Sequence, residues 1–154
     1  KLITDLIKSY NTKTGEIRVK LDLSTVFFEV DTAVSLGIII NEMFTNSIKY
    51  AFPAGAGGEI SISLVREESI EEITGNNSTD TVLSESPEKL SGTSKNYKLI
   101  YADNGKGFPE EFDFRNPETL GLQLVNALIS QIEGSLDLER GNGTKFIIHF
   151  KSEL

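Results

Sequence analysis

A chain of 154 residues with 38% apolar content has the size and apolar share of one domain built around one core. Its formal charge of −8 excludes a nucleic-acid backbone or an anionic membrane surface as partner. With no cysteine and a single histidine, disulfide scaffolds, thiolate nucleophiles and multi-histidine metal sites are excluded as well.

No apolar run is long enough to span a bilayer, and no signal peptide opens the chain. The chain starts at Lys1 in mid-pattern, which reads as a fragment of a longer cytoplasmic protein, although processing or tag removal would leave the same first residue. Residues 1–10 set Leu2, Ile3, Leu6 and Ile7 on one helical face, as the tail of a helix or linker from an upstream domain would. After a turn at 11–15, residues 16–23 alternate Ile17, Val19, Leu21 and Leu23 with charged residues, the pattern of a half-buried strand. Residues 26–30 form a short apolar stretch that predicts a second strand. Asp31 and Thr32 supply a capping signal for a long helix over 33–51, which Pro53 and the glycines at 55, 57 and 58 stop.

Residues 59–65 and 97–102 are two further strands whose pairing as a hairpin would carry the stretch between them. That stretch, 66–96, is rich in Ser, Thr, Asn, Glu and Gly and has no sustained period. It reads as an inserted loop that cannot bury enough apolar area to offset its ordering entropy, with a functional lid as the alternative. A Gly-rich turn at 103–107 and an irregular stretch to 119 lead to a helix over 120–132. Strands at 135–139 and 144–151 close the chain around the turn 140–143. The order predicts an α+β fold, a two-layer sandwich whose mixed or antiparallel sheet is covered on one face by helices, in a single domain over 1–154.

Four local patterns carry chemistry. Glu42, Asn46 and Lys49 fall at i, i+4 and i+7, within an arc of roughly 60° at the helical period. A carboxylate, an amide and an ammonium stacked there suit a magnesium-nucleotide, with the Asn46 amide oxygen as one hard ligand for the metal. An ordinary solvated helix face would look the same. Asp103-Asn104-Gly105-Lys106-Gly107 follows a strand directly. Its glycines allow positive φ and close approach to a flat ligand, and its carboxylate can accept a hydrogen bond from an exocyclic amine such as that of adenine. A plain Asx-type turn is the alternative. Gly121 and Leu122 stand at a helix start, where free amides and the helix dipole favour an anion. Gly141-Asn142-Gly143-Thr144 reads first as a hairpin turn.

Together, the order and spacing of these patterns resemble the GHKL superfamily of gyrase, Hsp90, histidine-kinase and MutL-type ATPases, which share the Bergerat ATP-binding fold. Residues 41–52 (NEMFTNSIKYAF) are similar to its N box and 103–107 to its G1 box. Residues 120–125 (LGLQLV) match a reduced G2 box, and Gly143-Thr144 the last Gly-Thr element. The wording is closest to the short-lid histidine kinases and covers nearly the whole chain apart from 66–96.

The resemblance implies ATP and Mg²⁺ as ligands, with Asn46 as the metal ligand and Asp103 binding the adenine amine, Thr144 beside it. It implies that Gly105 and Gly107 shape the adenine pocket, that Lys49 reaches toward phosphate and that Tyr50 lines the nucleotide site. Gly121 and Leu122 would offer amides to the phosphates. Glu42 stands where the ATPases keep a water-activating glutamate and many histidine kinases have asparagine, so it would be a base or an orienter of the hydrated metal. The G2 box lacks its leading glycine, which implies a short and rather rigid lid. His149 (KFIIHF) alternates within a strand rather than standing on an exposed helix, and reads as structural.

The implied activity is that of the catalytic domain of a two-component sensor histidine kinase. It would transfer the γ-phosphoryl group of ATP to a histidine on an upstream dimerisation domain of a homodimeric parent, and thence to a response regulator. Nucleic acid and membrane are not expected partners of the fragment, and the fragment alone is expected to bind ATP without autophosphorylating. An anti-sigma-type serine kinase and a non-catalytic nucleotide-sensing module of the same fold are the alternatives.

Overall fold

The computed structural model describes residues 17–53, 56–67 and 94–153. The expected helical tail at 1–10 and most of the expected insert lie outside them. Strand β1 (Ile17–Leu23) leads to helix α1 (Val30–Asn46), which continues as a π-helical turn over Ser47–Ala51. Strands β2 (Gly58–Glu67) and β3 (Lys95–Asp103), helix α2 (Leu120–Gln131) and strands β4 (Ser135–Gly141) and β5 (Gly143–Ser152) follow. The five strands form one mixed sheet in the order β1-β2-β3-β5-β4, with β1 parallel to β2 and every other pair antiparallel. The α+β sandwich expected from the sequence is therefore the fold observed. A parallel pair needs a crossover, and α1 supplies it.

Period-two alternation sets which face is covered. Ile60 and Ile62 of β2, Tyr97, Leu99 and Tyr101 of β3, and Phe146, Ile148 and Phe150 of β5 point under the helices. They meet Leu36, Ile39, Ile40, Met43 and Phe44 of α1 and Leu122, Val125 and Ile129 of α2 in one apolar cluster. The edge strands β1 and β4 carry Lys20, Asp22, Asp137, Glu139 and Arg140, charges that discourage pairing with another chain.

Three expectations need correction. Residues 24–29 form no strand: Ser24 donates to Leu64 O at 3.0 Å, and the chain then breaks from the ladder. Phe28 of that segment packs edge-on to Tyr97 at 4.9 Å, so its apolar residues serve the core directly. Helix α1 starts at Val30 behind Glu29, without a side-chain cap, and Asp31 lies in its first turn, where it complements the dipole. The β2–β3 hairpin also runs further than expected, pairing Arg66 with Tyr97 and Glu67 with Asn96. The extension is held on the open face, where Glu67 meets both Lys98 Nζ, at 3.2 Å, and His149 Nδ1, at 3.1 Å. The hydrogen bond from His149 first, then Lys98, holds the Glu67 carboxyl below its usual value against an opposing desolvation effect.

The stretch 104–119 has no regular structure yet is firmly tied. Phe108 stacks on Phe112 at 4.6 Å, and Phe114 meets Phe146 at 5.1 Å. Asn126 Nδ2 and Arg140 Nη2 donate to the carbonyls of Phe114 and Phe112 at 2.8 and 2.6 Å.

Helix α2 ends in a Schellman-type turn: Glu133 N donates to Ser130 O and Gly134 N to Ile129 O. The left-handed position of that turn is occupied by Glu133, at φ 51°, rather than by glycine. Glu133→Gly should therefore raise stability by about 1 kcal/mol, the cost of holding a side chain in that region. Urea denaturation monitored by circular dichroism checks this, and an unchanged or lower midpoint contradicts it.

Candidate functional site

The site begins at the end of β3. Asp103 lies on the helix-covered face, 7% exposed, paired across the ladder with the buried Thr144 of β5. Its Oδ2 accepts the Ser47 hydroxyl at 2.6 Å, and its Oδ1 accepts the Gly105 amide at 3.0 Å. The Tyr101 hydroxyl donates in turn to Ser47 Oγ at 3.0 Å. Burial above all, with the charge of Asp103, pushes the Tyr101 phenol far up, so it stays a donor. Protons therefore run one way, from Tyr101 to Ser47 to Asp103, and the carboxylate is fixed as an acceptor.

The glycine turn is set by backbone contact. At Gly105 a Cβ would stand 2.5 Å from both the carbonyl oxygen and the Cβ of Ala51, so the turn lies directly on the end of the π-helical segment. Lys106 N donates to Ala51 O at 2.9 Å. The positive φ expected of both glycines is found only at Gly107, 72°; Gly105 is there for close packing. Asn104 clamps the turn to β2, accepting from Glu59 N at 2.7 Å and donating from its own amide to Glu59 O at 3.1 Å.

Between this turn and α1 lies a pocket of about 180 Å³. Met43, Phe108 and Phe146 give it apolar walls, while Asn46, Asp103 and Thr144 bring polar atoms into it. Asn46 Nδ2 is buried with no hydrogen-bond partner. An amide in that state calls for a polar ligand group, and turning it over would present its oxygen instead. The pocket thus combines a fixed carboxylate acceptor, an unpartnered amide and apolar walls.

Of the residues singled out in the sequence, Asn46, Tyr50, Asp103, Gly107 and Thr144 line this pocket, and Gly105 supports it from behind. Lys49 does not line it and lies exposed. The i→i+5 winding over Ser47–Ala51 places more residues in the turn, so the arc computed at 3.6 residues per turn no longer holds there. Glu42 and Gly121 meet outside the pocket lining, where α1 passes the start of α2: a Cβ on Gly121 would stand 2.5 Å from Glu42 Oε2. Leu122 turns its side chain into the core. Ser47 and Tyr101 were not singled out in the sequence, because one reads as part of an apolar helix stripe and the other as an inward strand residue.

The geometry defines a mixed-sheet domain with a pocket between one helix and an Asp-Gly turn. Residues 31–154 match the model of the family described as histidine kinase-, DNA gyrase B-, and HSP90-like ATPase, and the chain belongs to that family. It is 26% identical over 135 residues to blue-light-activated histidine kinase 2 of Erythrobacter litoralis, covering 88% of this chain and 32% of that protein. It is 27% identical over 122 residues to the sensor histidine kinase PdtaS of Mycobacterium tuberculosis, covering 77% of this chain and 19% of that one. The chain thus spans a third or less of the curated relatives named here. The histidine kinase domain of the blue-light-activated kinase of E. litoralis EL346 shares the fold with a TM-score of 0.70 at 24% identity, over 96% of this chain and 59% of that one. The Acinetobacter baumannii histidine kinase AdeS aligns at 0.58 and 20% identity, over 99% and 62%.

Proposed function

We propose that this chain is the ATP-binding catalytic domain of a two-component sensor histidine kinase, donating the γ-phosphoryl group of ATP to a histidine on a dimerisation domain outside it. The observation that carries this is Asp103, fixed as an acceptor by Ser47 and Gly105 in a pocket that also holds the unpartnered Asn46 amide. Family membership supports it.

In this reading Asp103 accepts the exocyclic amine of adenine beside Thr144, and Met43, Phe108 and Phe146 enclose the ring. Asn46 would hold Mg²⁺ through its amide oxygen; Tyr50 lines the exposed side of the pocket, and Lys49, outside the lining, would reach toward phosphate. The amides of Gly121 and Leu122 receive the phosphates. Magnesium, when bound, neutralises phosphate charge for an in-line transfer. The residues of the chain position and orient, and the acceptor histidine comes from elsewhere. His149, the chain's single histidine, is paired on β5 with Glu67, away from the pocket-lining residues. The parent would be a homodimer that passes the group to a response regulator and keeps this domain in the cytoplasm. No helix among the described residues is long and apolar enough to cross a membrane.

Calorimetric titration tests this. The wild-type chain should bind ATP more tightly with magnesium than with EDTA, and Asn46→Ala should abolish that difference while retaining metal-free binding. No ATP binding by folded wild-type chain refutes the proposal. Incubation with γ-labelled ATP should leave no phosphohistidine on this chain, and stable label on His149 would overturn the assignment of the acceptor to another domain.

A further inference from the structure

Tyr101 does not line the pocket, yet its hydroxyl is bonded to a residue that does. The side chain is fully buried, with Phe146 at 6.5 Å between ring centroids, so water does not reach its hydroxyl. Among the described residues that hydroxyl has one partner, Ser47 Oγ at 3.0 Å. Burial keeps the phenol protonated, and it donates.

A serine hydroxyl has one proton and two lone pairs. Ser47 uses one lone pair for Tyr101 and its proton for Asp103 Oδ2, at 2.6 Å. A single lone pair remains on Oγ. Ser47 lines the pocket beside Asp103, whose Oδ1 already takes the Gly105 amide. The two residues together therefore offer a ligand acceptors alone. Acceptors suit an amino group and oppose a keto oxygen. The bond from Tyr101 also strengthens Ser47 as a donor to the carboxylate, because hydrogen bonds in series polarise one another. Without it Ser47 would keep one bond where it had two, and its proton would be freer to turn toward a keto oxygen.

We infer that Tyr101 is a positioning residue for base selection: acting through Ser47, it commits this end of the pocket to purines with a 6-amino group over those with a 6-keto group. The inference rests on the nucleotide reading of the pocket and deepens it to the choice of base. Tyr101 does so without touching the ligand, from the strand that ends in Asp103.

The test titrates the whole chain with ATP and with ITP, in magnesium, as wild type, Tyr101→Phe, Ser47→Ala and the double variant. Phenylalanine keeps the ring and removes only the hydroxyl. Tyr101→Phe should reduce the ratio of ATP to ITP affinity about fivefold, the scale of one ordinary hydrogen bond. Ser47→Ala should reduce it too, and Tyr101→Phe should add nothing in that background. A merely structural role would weaken both nucleotides alike, and an unmoved ratio overturns the proposal. So does an effect of Tyr101→Phe that persists in full beside Ser47→Ala, since it would not pass through Ser47. Folded wild-type protein that binds neither nucleotide sinks the nucleotide reading itself, whereas normal ATP binding with one ratio in all four proteins sinks this inference alone.

Discussion

Asp103→Asn should weaken ATP binding about 100-fold, the scale of losing a hydrogen bond to a buried charged acceptor. The substitution is nearly isosteric, so its effect lies in the direction of protons. If the new amide oxygen keeps the Gly105 N–H, its NH₂ faces Ser47 Oγ, which already accepts from Tyr101 and then has no acceptor for its own proton. If the amide turns over, NH₂ opposes the Gly105 N–H. Either way a buried donor is unmatched, costing about 1–2 kcal/mol of stability. Calorimetry against ATP and urea denaturation read the two effects separately. The base should also matter: wild-type protein should favour adenosine over inosine, whose keto edge presents an acceptor to an acceptor, and Asp103→Asn should narrow that preference. ATP affinity unchanged in Asp103→Asn would remove Asp103 from the adenine site.

Much of this fold is legible because its strands are covered on one face only. Ile60 and Ile62 against Ser61 and Ser63, or Phe146, Ile148 and Phe150 against Lys145 and His149, carry the period of two into the sequence, and the structure follows it. Residues 26–30 misled because an apolar run is the same whether it joins a ladder or, as with Phe28, packs on aromatic rings from outside it. Residues 66–67 and 95–96 looked like loop because their composition is polar, whereas their support is a cross-strand ionic cluster set by register. Composition cannot see register.

The candidate site divides in the same way. Asn46, Asp103 and Thr144 stand in short local motifs, and the structure brings them to one pocket. Ser47 and Tyr101 act on Asp103 through a chain in which Ser47 is 56 and 54 residues from its two partners, a separation that leaves no local trace. Met43 and Phe146 belong to core stripes, and nothing in their spacing distinguishes a core position from a pocket wall. Lys49 fell outside because a change of helical winding at Ser47 is invisible to a count made at one period.

The largest loss of stability is expected from Gly143→Ala, about 2–5 kcal/mol, combining the cost of a side chain at positive φ with that of overpacking. Gly143 opens β5 at φ 100°, in register with Gly141 across the hairpin tip. A Cβ there would collide with the carbonyl oxygen of Asp103 and lie 2.8 Å from Cα of Asn104. A Cβ on Gly107 would in turn stand 2.9 Å from Gly143 O. Three backbone segments therefore meet without side chains between them: the end of β3, the Asp-Gly turn and the start of β5. Because these are backbone contacts, no rotamer change can relieve the clash. The chain must move either Asp103 or Thr144, the two residues that face each other across the β3–β5 ladder beside the pocket. Gly143→Ala should for that reason lose ATP binding at denaturant concentrations where it is still folded. Gly141→Ala is the matched control: nothing lies within 4 Å of a Cβ at that position, and its φ is not in the positive range. Urea midpoints for the two variants, with calorimetry on the folded fraction, decide the matter. Gly143→Ala matching Gly141→Ala in both would show that the turn relaxes freely and that the backbone contact is not what holds Asp103 in place.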